Sequence, residues 1–139
     1  MPAGKYDAEN MKATVVPGRN LIMTSIAAGY ASNIGAQAIA LGVHMGDHFI
    51  YPDCRPEFIM ALKAVLARST DPGIDVLTPY LYYDKGMIVR DGTILGVDYE
   101  CTWSCYVGGK IPCGKCGTCV ERAEAFAQNG IEDPLLARR

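Results

Sequence analysis

The chain has 139 residues, half of them apolar and a fifth charged, with 13 basic side chains against 15 acidic ones. That is globular composition, long enough to bury one core without disulfides. A formal charge of −2 offers no basic face for duplex nucleic acid. No apolar run reaches the roughly 18 residues of a membrane span, so neither membrane nor nucleic-acid partners are expected. The opening MPAGKYDAENMK has no apolar stretch after its charges, which predicts no secretory leader and a cytoplasmic, reducing location. In such a compartment the six cysteines are expected to bind metal or do chemistry rather than to pair.

Residues 1–17 are polar and mixed and read as an extended lead-in. From Arg19 to Ile34 apolar residues recur at helical spacing (Leu21, Ile22, Ile26, Ala27, Tyr30, Ile34), with Gly35 as the stop. The short apolar run 38–43 predicts a strand buried on both faces. A polar and aromatic loop holding both histidines follows, and a second helix is expected from Pro56, its apolar face made by Phe58, Ile59, Leu62, Val65 and Leu66. Asp71-Pro72-Gly73 is a turn before a second short strand at 74–77. Thr78-Pro79 ends it, and a third helix runs from the cap candidate Asp84 to about Leu95. A last helix is expected over 120–128, with Ala123, Phe126 and Ala127 inward and Gly130 as its stop. This helix–strand alternation predicts an α/β fold with a parallel sheet. No opening strand precedes the first helix, so the chain reads as the second part of a larger domain.

Four of the cysteines form one cluster, Cys105-x7-Cys113-x2-Cys116-x2-Cys119. Thiolates held at about 2.3 Å in a tetrahedron suit Zn2+, and a C-x2-C turn sets two sulfurs on one ion. Gly108, Gly109, Gly114 and Gly117 allow a tight loop, and Lys110 and Lys115 partly offset the charge of a four-thiolate centre. An iron–sulfur cluster also takes four cysteines and is the alternative ligand set. A closed four-cysteine site leaves no open coordination position, so its role is structural and chemistry is expected elsewhere.

Three polar segments fall where strands and helices meet, the usual ligand side of an open α/β sheet. In Val16–Asn20, Arg19 and Asn20 are candidates for an anion or a nucleobase edge, against the plainer reading of an ordinary cap. In His44–Arg55, a planar heterocycle could find an aromatic wall in Tyr51, a carboxylate in Asp47 or Asp53, and a cation in Arg55. Cys54 has no base placed near it by spacing and reads as packing; the two histidines do not make a metal site. In the third segment Lys85, at a helix start, is a weak catalytic candidate.

VPGRN (16–20), GxxxxD (42–47), YPDCRPEF (51–58), TP (78–79), DK (84–85), TWSCY…PCGKCGTC…R (102–122) and DPL (133–135) resemble the 7-cyano-7-deazaguanine synthase family. The resemblance implies a partial adenine nucleotide α-hydrolase-like (Rossmann-like) fold with Zn2+ on the four cysteines. It also implies ATP- and ammonia-dependent conversion of 7-carboxy-7-deazaguanine to the nitrile, with ATP carried by Mg2+. In its light Arg19, Asn20, Asp47, Tyr51, Asp53 and Arg55 become substrate-site candidates. The family's SGGxDS pyrophosphate loop has no counterpart here, so the chain is expected not to hold ATP alone. It is expected to act as a homodimer or with an ATP-loop-bearing chain. Residues 1–100 are assigned to the substrate-binding portion and 101–139 to the zinc loop and last helix. The competing readings are a non-catalytic zinc-containing module that binds a deazapurine or a partner, and a zinc-knuckle nucleic-acid binder that the acidic balance disfavours.

Overall fold

A computed structural model of the chain describes residues 3–137. Its elements, in order, are α1 (Ala8–Met11), α2 (Arg19–Asn33), β1 (Ala38–Ala40), α3 (Pro56–Ser69), β2 (Asp75–Leu77), α4 (Lys85–Ile94) and α5 (Gly117–Gln128), with 3-10 turns between several of them. The α/β class and the parallel sheet are as expected: β1 and β2 pair in parallel, Ala38 opposite Asp75 and Ala40 opposite Leu77. The described residues divide into two compact units, Val16–Tyr82 and the remainder on either side of it in the sequence.

In the first of these units α2 starts on the left-handed Gly18 (φ 68°), a conformation that explains the glycine of VPGRN. Its core is one cluster: Ala28 and Ala31 from α2, Leu62 and Leu66 from α3, and Ile74 and Val76 at the strand. Each large apolar side chain buried there contributes about 1.5–3 kcal/mol. Thr24 is also buried, and its hydroxyl is satisfied by the Asn20 carbonyl 2.6 Å away. Of the small residues expected to let α2 pack closely on a sheet (Ala27, Ala28, Gly29 and Ala31), Ala28 and Ala31 are buried, while the large apolar Leu21, Ile22, Ile26, Tyr30 and Ile34 are all exposed. The helix is apolar on both sides, and the small residues fit closest to the sheet. The strands are shorter than expected and covered on one face only, since Ala40, Asp75 and Leu77 are exposed while Val76 is fully buried. On α3 Ile59, Leu62 and Leu66 are buried as predicted, while Val65 is exposed.

In the other unit the stretch predicted to be extended contains α1 and a 3-10 turn at Lys12–Thr14. Helix α4 is capped by Asp84, whose carboxylate accepts from the Met87 N–H at 2.7 Å. Val89 of α4 packs with Ala125 and Phe126 of α5, joined by Tyr99 edge-on to Phe126. The inward face of α5 is Arg122, Ala125 and Phe126; Ala123 and Ala127 are exposed. A buried arginine displaced the expected alanines because its charge is paired. Arg122 meets Asp133 in a two-pronged contact of 2.6 and 2.8 Å, and its remaining donors reach Thr102 and the Tyr99 carbonyl. No helix among the described residues is long and apolar enough to cross a membrane.

Candidate functional site

The cysteine loop closes on itself. The sulfurs of Cys105, Cys113, Cys116 and Cys119 all lie within 4.8 Å of one another, with Cys113 and Cys119 4.0 Å apart. Four sulfurs on one tetrahedral zinc stand about 3.8 Å apart, from bonds of about 2.3 Å. The donor set thus fits a single ion with a small contraction. Cys116 is the N-cap of α5 and Cys119 lies in its first turn, where the helix dipole favours thiolates. Backbone N–H groups serve the sulfurs: Cys113 N–H donates to Cys105 Sγ and Cys116 N–H to Cys113 Sγ, both at 3.3 Å. Gly114, at φ 71°, makes the turn between the second and third ligands.

The surroundings bias these thiols before any cation arrives. Burial pushes Cys116 up, but its contact with the Thr118 hydroxyl and the hydrogen bond from the Cys119 backbone outweigh it and bring the thiol to about 6. Cys119 is pushed up to about 12, by burial first and by its thiol neighbours after that. Cys105 is lowered, chiefly by the Cys113 N–H. A bound cation is what would hold all four as thiolates together. Around the loop, Thr118 Oγ1 donates to the Ser104 carbonyl and Trp103 Nε1 to the Cys105 carbonyl, each at 2.8 Å.

The second group of chemistry-bearing residues lies in the Val16–Tyr82 unit. The fold brings VPGRN and YPDCR together. Asn20 N–H donates to Asp53 Oδ2 at 2.9 Å, and its side-chain amide donates to the Asp53 carbonyl at 3.0 Å and to Cys54 Sγ at 3.2 Å. Asp53 thereby caps the start of α2, which no local pattern reveals because the partners are 33 residues apart. The Arg19 guanidinium stands over the buried Tyr51 ring, 5.7 Å from its centre. Arg55 is exposed, and its Nε donates to the His48 carbonyl at 2.9 Å.

Asp47 faces His44, Oδ2 to Nε2 3.4 Å. His44 Nδ1 accepts from the Gly46 N–H at 3.1 Å, so the proton of the neutral ring sits on Nε2, toward Asp47. Cys54 is buried and its thiol is pushed up to about 11, by burial and then by the charges of Asp47 and Asp53. That is a packing thiol rather than a nucleophile. His48 Nε2 is buried with no hydrogen-bond partner among the described residues. Sequence reading set the histidines aside, and only burial exposes this one. At the carboxyl ends of β1 and β2 an open cleft of about 440 Å³ is lined by Ala40, Lys63, Leu77, Thr78 and Pro79. Lys85 belongs to the other unit, paired with Glu121 and 5.6 Å from the centre of the Tyr6 ring.

The profile of the Queuosine biosynthesis protein QueC family matches residues 1–130. Three relatives, each named 7-cyano-7-deazaguanine synthase, align along nearly the whole chain. The protein of Marinobacter nauticus is 50% identical over 139 residues, covering 100% of this chain and 63% of the relative. That of Psychromonas ingrahamii is 50% identical over 132 residues, 95% of this chain and 60% of the relative. That of Brucella anthropi is 54% identical over 138 residues, 98% of this chain and 60% of the relative. The chain spans about six-tenths of the length of these relatives. On a match of this extent, the chain belongs to the QueC family of queuosine biosynthesis proteins.

Proposed function

We propose that this chain is the substrate- and zinc-binding portion of a 7-cyano-7-deazaguanine synthase, active when an ATP-binding portion is supplied. The observation that carries the reading is the convergence of VPGRN and YPDCR through Asn20, Asp53 and Cys54, in a chain half identical to proteins of that name. In this reading residues 1–100 present the deazaguanine site, and residues 101–139 form a stabilising metal loop and helix.

Each side chain has a role its contacts support. The exposed guanidinium of Arg55 binds the 7-carboxylate. Tyr51 and the Arg19 above it form one wall for the heterocycle. Asp47, oriented by His44, accepts from the ring N–H groups, and the unpaired His48 Nε2 gains a partner when the site fills. Asn20 and Asp53 spend most of their polar capacity on each other and position the two segments, so their effect on substrate is through Arg19 and Tyr51. Lys85 is the remaining catalytic candidate, with Glu121 as its counter-charge.

The chemistry is activation of the carboxylate by ATP–Mg2+ to an adenylate with release of pyrophosphate. Ammonia then displaces AMP to give the amide, and a second ATP-driven dehydration gives the nitrile. Zn2+ on the four cysteines supplies no step; it holds the loop that leads into α5. The six free thiols, Cys101 among them exposed, fit a reducing cytoplasm.

The test is nitrile formation from 7-carboxy-7-deazaguanine, ATP and ammonia by the zinc-loaded chain, with and without the part of a relative that it does not span. Product only in the mixture supports the reading. Binding of the deazaguanine with no product in either case makes the chain a non-catalytic module instead.

A further inference from the structure

Residues 3–11 run against the backbone that carries the third cysteine of the metal loop. Ala3 and Cys116 form an antiparallel bridge, and the Gly4 N–H donates to the Lys115 carbonyl at 2.9 Å. Tyr6 is half-buried and Met11 is fully buried, and both lie on Gly117. The sequence assigns Gly117 to the tight loop, yet its φ is not left-handed and it opens α5. Its glycine has another reason. A Cβ at this position would stand 2.9 Å from Met11 Sδ and 3.4 Å from Tyr6 Cδ2, tighter than such atoms ordinarily pack. The absent side chain is what lets the segment lie on the start of α5. The Lys85 ammonium, paired with Glu121 of α5, stands 5.6 Å from the centre of the Tyr6 ring and ties the segment to the same helix.

The position of this contact decides what it does. Hydrogen bonds to the sulfurs of Cys105 and Cys113 come from inside the loop, but the backbone at 115–117 is held from outside it. Cys116 is at once a ligand candidate and the N-cap of α5. The segment cannot keep this shape alone. Helix α1 has four residues and the turn after it three, far below the roughly 12–15 that a free helix needs. Its one fully buried anchor is Met11, and Gly117 is part of the surface that buries it. That surface exists only when the backbone at 115–117 is set. Four thiolates within 4.8 Å of one another repel unless a cation joins them, so the metal sets that backbone.

We infer that residues 3–11 are a strap across the third metal ligand: they hold the Cys116 backbone in its ligating position, and the metal in turn orders them. Both act on the same three residues, so whatever the strap adds to metal binding the metal returns to the strap. With zinc bound the strap is closed; without it the strap is released and open to proteases. The inference rests on the four cysteines holding a metal and is independent of the reaction proposed above.

The experiment measures zinc affinity of the full 139-residue chain against a chromophoric chelator under reducing conditions, with hydrogen exchange of the loaded and stripped forms beside it. Tyr6→Ala and Met11→Ala are expected to weaken zinc binding about 10–100-fold, as loss of a group that orients a ligand does. In the loaded chain the Gly4 N–H should exchange in step with the Val120 N–H, which bonds to the Cys116 carbonyl at 3.0 Å, and chelation should release both together. Val89→Ala loosens α4 against α5 without touching the strap, and should cost less zinc affinity than Tyr6→Ala although it costs more stability to urea. Circular dichroism of the loaded variants checks folding; if Met11→Ala does not fold, Tyr6→Ala carries the test. A Gly4 N–H that exchanges like a free peptide in the loaded chain overturns the inference. So does zinc affinity unmoved by Tyr6→Ala, or lowered as far by Val89→Ala, and in these cases the metal assignment stands. A chain that takes up no zinc overturns the metal assignment and the strap together.

Discussion

The cysteine loop and the His44–Arg55 loop are both built of tight turns and polar residues, yet they are held together in opposite ways. The cysteine loop is complete within 15 residues: its ligands are neighbours in sequence, its N–H groups point at its own sulfurs, and α5 grows out of it. The His44–Arg55 loop is held by a helix start more than 30 residues away, through Asn20, and it keeps an exposed arginine and a buried unpaired histidine nitrogen. A closed structural site finishes its own hydrogen bonding. A ligand site leaves some of it unfinished.

The largest effect is expected at the metal. Chelation of the zinc-loaded chain should abolish cooperative melting of the unit that contains α5, since a structural zinc is worth on the order of 10 kcal/mol in small zinc domains. A melting temperature unmoved by chelation breaks the comparison. Cys113→Ser should take metal content by atomic spectroscopy from about one ion per chain to near zero. Binding should weaken as pH falls, because each thiolate must give up its place to a proton.

Next is Arg122→Ala, which strands Asp133 as a buried unpaired charge and should cost about 3–5 kcal/mol by urea unfolding. Arg122→Met with Asp133→Leu should recover much of that loss, whereas a single-variant cost under about 1 kcal/mol would show that the pair contributes little.

These two regions also show what a sequence discloses. The cysteine spacing, the Gly35 stop, the Pro56 start and the Asp84 cap are local signals, and the structure has each where the residues put it. The small face of α2 was legible from Ala28 and Ala31, but the exposure of its large apolar residues was not, because periodicity cannot say what covers each of two apolar faces. The inward turn of Arg122 depends on Asp133, 11 residues on, and the cap on α2 depends on Asp53; pairings at such distances leave no periodic trace. The strands came out at three residues each because a parallel pair with one open edge has little to order it further.

A smaller effect is expected at Asn20→Ala. It removes the amide's bonds to Asp53 and Cys54 and should cost about 1–3 kcal/mol by urea unfolding. If the residue positions rather than touches substrate, Asn20→Asp and Asn20→Ala should weaken deazaguanine binding in step with their loss of stability. Smallest of all is the labelling of Cys54. With its thiol buried and raised to about 11, Cys54 should be alkylated more slowly at pH 7.5 than the exposed Cys101, whose own thiol is raised by its hydrogen bond to Asp98, and its rate should accelerate as pH rises. Equal rates would show that the YPDCR turn opens freely.

The most direct measurement is a calorimetric titration of 7-carboxy-7-deazaguanine into the zinc-loaded chain complemented by the remainder of a relative, with Arg55→Ala beside it. The account predicts saturable one-to-one binding that Arg55→Ala abolishes while the metal content of the variant stays at one ion per chain. Affinity unchanged by Arg55→Ala would remove that arginine from the site and contradict the account.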